Sequence, residues 1–194
     1  MKVIQIALFF SLILLSMNSF TQQNDSLPYY EVPEYPECYT AGTMASRLID
    51  GLGFRFYWAT KGLREKDLVY RPNEESRSTG ETIDHILGMT QRIFNAVLQK
   101  EGKPPKDLSY VEKRAYILKH LKSVSDILRK SSDEDFNAYT INLRNGESLP
   151  FWNFVNGQIT DSIWHCGQIS SYRRSSGNPI SGKVNFFLGT VEQE

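Results

Sequence analysis

The sequence predicts an all-α protein, an up-down four-helix bundle with a short extended or hairpin segment ahead of the last helix. Three observations carry this expectation. Apolar residues recur at three- and four-residue spacing in three separate stretches, the period of one face of an α-helix, and a fourth helical stretch follows after Pro150. Capping and stopping signals fall at the ends of these stretches. The connectors are too short to be domains, and 194 residues with 40% hydrophobic content suffice for one core.

The chain opens differently from its body. Lys2 precedes an almost unbroken apolar run, Ile4 to Leu15, and Ser19-Phe20-Thr21 offers small residues where a signal peptidase cuts. The run is short for a membrane span, so residues 1–21 are expected to be a secretory signal peptide, with an uncleaved anchor as the alternative. Cleavage leaves a periplasmic or secreted protein that begins near Gln22 and keeps no stable membrane anchor. No Cys stands at the cut, which argues against a lipoprotein. Residues 22–38 read as an extended leader, because Pro28, Pro33 and Pro36 each remove a donor and restrain the residue before.

The body, residues 39–180, then runs helix by helix. From about Tyr39, Met44, Leu48, Leu52, Phe56, Ala59 and Leu63 mark the first helix. A charged connector, Arg64 to Arg77, contains Pro72. Ser78 with Glu81 is a capping-box pair that opens the second helix, whose stripe is Ile83, Leu87, Phe94 and Val97. Gly102-Lys103-Pro104-Pro105 ends it. Ile117, Leu121, Val124 and Leu128 line a third helix from about Tyr110 to Lys130, closed by the polar run Ser131 to Phe136. Tyr139 to Leu143 with Asn145-Gly146 behind it suits a short strand or extended arm with a turn. Ser148-Leu149-Pro150 is expected to open the fourth helix, and Gly177-Asn178-Pro179 to stop it. In the tail, 181–194, the apolar run Val184 to Leu188 is expected to lie against the bundle.

Lys+Arg and Asp+Glu both count 22, and losing Lys2 leaves a net charge of about −1. No basic face appears, so nucleic acid is not an expected partner. Walker, dinucleotide-binding, nucleophile-elbow and CxxC patterns are absent, which removes several common enzyme classes. Cys38 and Cys166 could form a disulfide in an oxidising compartment or remain free thiols; both readings stand.

The chemistry sits on the fourth helix. At about 100° per residue, Gln158, Asp161, His165, Gln168 and Tyr172 share one stripe with Phe154 and Ile169, so this face points inward. Asp161 and His165 are i and i+4, a spacing that lets a carboxylate and an imidazole converge on one ion, or brace the helix as a hydrogen-bonded pair. His85 lies in the first turns of the second helix, off its apolar centre toward Met89 and Ala96, facing either a neighbouring helix or water. His120 flanks the third helix's apolar side and reads as a packed or surface histidine. Cys166 is about 100° from His165 and a poor co-ligand.

Two segments carry a family resemblance. Leu63-Arg64-Glu65-Lys66-Asp67-Leu68-Val69-Tyr70-Arg71-Pro72, followed by Ser78 to Ile86, resembles the first connector and histidine-bearing second helix of DinB-like (DinB/YfiT-type) proteins. Asp161-Ser162-Ile163-Trp164-His165-Cys166-Gly167-Gln168-Ile169, continuing to Gly177-Asn178-Pro179, is similar to that family's fourth-helix motif of a histidine before Gly-Gln and a closing Gly-x-Pro. The resemblance spans about residues 40–180. It implies the bundle and a divalent-metal site, since many members bind metal through one histidine on the second helix and two spaced i,i+4 on the fourth. His85 and His165 match two of these positions, and Asp161 stands at the third. The departure implies either a two-histidine, one-carboxylate centre for Zn, Mn, Fe or Ni, or a degenerate site.

Characterised members include thiol-dependent S-transferases and a maleylpyruvate isomerase. The resemblance therefore implies a metal-dependent enzyme of transferase or hydrolase type acting on an unknown small molecule, with export weighing toward hydrolysis. The alternative is a non-catalytic ligand- or partner-binding bundle with a degenerate metal site. A homodimer is compatible with either.

Overall fold

The computed structural model describes residues 27–192, so the expected signal peptide over 1–21 lies outside the described residues. The described chain is mostly helical, with two small antiparallel sheets. Helix α1 spans Ala41–Thr60; the Thr40 hydroxyl accepts from the Thr43 amide, and the Thr43 hydroxyl accepts from the Thr40 amide. A one-turn helix, α2 (Glu65–Leu68), sits inside the charged connector. Helix α3 spans Thr79–Leu98 behind the expected Ser78–Glu81 box, both arms of which are made. Helix α4 spans Tyr110–Leu128 and opens on a second box, Ser109 with Glu112, a signal equally present in the sequence.

The segment before the last helix is a hairpin: β1 (Ile141–Asn142) pairs antiparallel with β2 (Ser148–Leu149) around Asn145 and Gly146, whose φ of 88° suits glycine. Ser148 therefore belongs to a strand and does not open the fourth helix. That helix begins one turn later as α5 (Trp152–Phe154), passes through a π-helical turn at Val155–Ile159, and continues as α6 (Thr160–Ser175). Gly177, at φ 75°, ends it. A second hairpin follows, β3 (Val184–Asn185) with β4 (Thr190–Val191).

Helix α1 packs on α4 and α6, while α3 packs on α4, α6 and the π turn. Ile49, Leu52, Phe56, Ile83, Ile86, Ile93, Ile117, Leu121 and Ile169 fill the space between them. The first helix departs from its expected stripe in one respect. Met44 and Leu48 are 51% and 41% exposed, while Ala45 and Ile49, one step round the helix, are buried. Leu48 instead borders a cavity shared with Phe186 and Leu188 of the second hairpin.

Two polar clusters fix how the helices sit. Asp67 is fully buried and accepts from Arg64 Nε and Nη2 (both 2.8 Å), Ser176 Oγ (2.6 Å) and Asn178 Nδ2 (2.7 Å), tying the connector to the end of α6. Arg173 of α6 donates to the carbonyls of Trp58, Ala59 and Lys61, satisfying the open end of α1. The leader is the third tie. Tyr29 is buried, its hydroxyl donating to Asp50 Oδ1 at 3.2 Å, and its ring lies where any Cβ on Gly53 would collide. Trp58 Nε1 donates to the Tyr30 carbonyl, and the Val32 amide donates to the Gly189 carbonyl, so the leader straps α1 to the second hairpin.

Candidate metal centre

His85 projects from the second turn of α3, and Asp161 and His165 project from the first two turns of α6. Because α3 and α6 are neighbours, the three side chains meet. His85 Nε2 lies 3.4 Å from Asp161 Oδ2, and His165 Nε2 lies 3.4 Å from Asp161 Oδ1. The two imidazole rings stand edge to face with centroids 4.8 Å apart. One ligand atom from each residue falls within 4.8 Å of the others. Ligands about 2.1 Å from a tetrahedral ion stand about 3.4 Å apart, so the carboxylate already keeps a coordinating distance from both histidines. These three side chains can hold one divalent ion.

The site is built from one sheltered ligand and two accessible ones: the side chains of His165, His85 and Asp161 are 11%, 35% and 43% exposed. Water or a substrate atom can therefore reach a further coordination position from the His85–Asp161 side. His165 is oriented by Gln168 one turn on. Its Nδ1 donates to Gln168 Oε1 at 2.5 Å, which puts the proton on Nδ1 and leaves the Nε2 lone pair facing Asp161. One turn before Asp161, Gln158 buries its Oε1 without a hydrogen-bond partner among the described residues. That acceptor without a donor belongs to the same polar stripe as Asp161 and His165.

The remaining sequence candidates lie elsewhere. His120 stacks on Tyr116 with centroids 3.8 Å apart, faces Phe94, and its Nδ1 meets the Tyr116 carbonyl; burial lowers its pKa. It is a packed histidine. Cys38 is exposed and Cys166 buried, both as free thiols, and burial pushes the Cys166 thiol up to about 12. Trp58, Phe151 and Phe154 are buried, whereas Trp152 and Trp164 are exposed. Two features of the site escape a helical-wheel reading. The Gln168 bond to His165 is one; Gln168 was legible as a stripe member, but its partner was not. The π turn before α6 is the other, and such turns occur often at functional sites.

The fold and site define a helical protein with a two-histidine, one-carboxylate cluster fit for a divalent ion. No protein-family model matches the chain, and no curated protein matches it.

Proposed function

We propose that this chain is an exported, DinB-like four-helix bundle in which His85, Asp161 and His165 bind one divalent cation for a transferase or hydrolase reaction on a small molecule. The convergence of the three side chains from two helices, 76 residues apart along the chain between His85 and Asp161, carries the proposal. It matches what the resemblance implies for His85 and His165, with Asp161 as a competent third ligand.

A bound ion in such a site supplies Lewis acidity, lowering the pKa of a coordinated water or thiol. The protein's own groups do the rest. Gln168 holds the His165 ring in its ligating tautomer, and the carboxylate of Asp161 stands between the two imidazoles and sets the charge of the site. One carboxylate makes the donor set harder than three histidines, which favours Mn²⁺ and Fe²⁺ more than in a three-histidine site, with Zn²⁺ and Ni²⁺ still accommodated.

The test is calorimetry on tag-free, metal-depleted mature protein titrated with Mn²⁺ and Zn²⁺. One equivalent is expected to bind, and His165→Ala is expected to abolish it. Absence of binding above background for every divalent ion would replace this proposal with the non-catalytic binding bundle.

A further inference from the structure

Between the C-terminal half of α3 and the β1–β2 hairpin lies a cleft of about 820 Å³. Arg92, Lys100, Lys103 and Arg144 line it against one acid, Glu101. None of the four cationic side chains makes a hydrogen bond or ion pair among the described residues. On a chain whose total charge is zero, four cations around one concave surface form a local positive potential that selects anions. Buried Phe154 adds an apolar wall.

The cleft lies further along the same pair of helices that carries the metal triad. Arg92 follows His85 by seven residues on α3, which is two turns on and about 20° round the helix. Against α3 the last helix runs antiparallel: Asp161 and His165 meet His85, while Phe154, seven residues before Asp161, lines the cleft. Seven residues of helix rise about 10 Å, and that is the separation between triad and cleft. Between the two, a Cβ placed on Gly88 or Gly157 would meet no atom within 4 Å, so neither position carries a side chain against its surroundings.

We infer that this cleft is the substrate-binding part of the metal centre, and that the substrate is an anion, a phosphate, phosphonate or carboxylate with an apolar body. Its acid group pairs with Arg92 and Arg144, and its reactive group, about 10 Å away, reaches the His85–Asp161 edge. The substrate role rests on the proposed metal-dependent function; anion binding by the cleft does not.

Phenylphosphonate is a suitable probe, since it carries both features and a phosphorus nucleus. Titrated into metal-free mature protein at low ionic strength, it is expected to bind, and more weakly as salt rises. The Arg92→Ala/Arg144→Ala variant is expected to lose at least tenfold in affinity for the probe while taking up Mn²⁺ like the wild type. In Mn²⁺-loaded protein, ³¹P relaxation is expected to place the phosphorus about 10 Å from the ion. Unchanged probe affinity in the variant, or no binding at all, overturns the cleft. Relaxation that puts the phosphorus on the ion, or beyond its reach, overturns the geometry. Arginine-dependent probe binding in a protein that takes up neither Mn²⁺ nor any other divalent ion sinks the metal reading and the substrate role together, leaving an anion site.

Discussion

In the proposed centre, Asp161 is the residue that sets which ion is preferred. It supplies both contacts of 3.4 Å to the histidines, and its substitution separates the competing chemistries. Asp161→His is expected to soften the donor set and raise affinity for Zn²⁺ or Ni²⁺ over Mn²⁺. Asp161→Ala removes a ligand in a residue that holds a helix at least as well, so calorimetry should show lost binding with unchanged helical circular dichroism. Outer-shell partners of ligating histidines typically contribute about 10–100-fold in affinity. Gln168→Ala is expected in that range, with Asp161→Ala beyond it; equal metal affinities in Gln168→Ala and wild type would remove Gln168's orienting role. The cysteines offer a separate check. Burial holds the Cys166 thiol near 12, so it is neither ionised nor accessible at neutral pH, while Cys38 is exposed. Native protein should therefore react with one equivalent of a thiol reagent, and with a second after unfolding.

At the scale of elements, a buried carboxylate ties the connector that carries α2 to the end of α6. Hydrogen bonds from Arg64, then from Ser176 and Asn178, keep Asp67 ionised well below the usual carboxylate range, overcoming its burial. The folded state thus binds fewer protons here than the unfolded chain. The resulting stability is fully present above about pH 4, the unfolded value, and is lost as pH falls further. Asp67→Ala is expected to cost about 2–4 kcal/mol at neutral pH. Urea unfolding from pH 3 to 7 should show the deficit shrinking toward acid; a deficit constant with pH would mean that the carboxylate's charge is not what holds the junction. The same junction anchors the end of α6, so it sets the position of the helix that bears Asp161 and His165.

Over the whole molecule, the leader and the second hairpin form a belt across α1. Its anchor is Tyr29, buried against Gly53 and bonded to Asp50, which also accepts from Ser125 Oγ and Arg129 Nη2, both at 2.5 Å. Burial raises the Asp50 pKa despite these donors, a contribution opposite in sign to that of Asp67: it is present below the unfolded value and lost as pH rises through the folded one. Burying an aromatic side chain contributes about 1.5–3 kcal/mol. A chain starting at Cys38 is therefore expected to melt roughly 5–10 °C lower than one starting at Gln22, since each kcal/mol shifts Tm by about 2–4 °C at this size. Because the leader's hydrogen bonds run to α1 and to the second hairpin, metal affinity should survive the truncation. A drop in metal affinity matching the drop in Tm would show that the belt also shapes the centre.

The sequence by itself determined what is local. Helical periodicity, the Ser78–Glu81 box, the Asn145-Gly146 turn and the Gly177 stop depend on neighbours within a few residues, and each appears where its residues place it. The i,i+4 spacing of Asp161 and His165 is local too. Only the tertiary structure decided the rest. Periodicity cannot say which face of α1 meets a partner, so Met44 and Leu48 read as core while Ala45 and Ile49 are the buried pair. A proline is welcome in a helix's first turn, so Ser148-Leu149-Pro150 read as the start of the fourth helix until the pairing of Ser148 with Asn142 assigned it to β2. Whether His85 faced water or a neighbour, and whether Cys38 met Cys166, turned on how distant segments pack. The cationic cleft was hidden for the same reason: its charges lie between Arg92 and Arg144 along the chain, cancel in any count of composition, and become a field only when folding brings them to one surface.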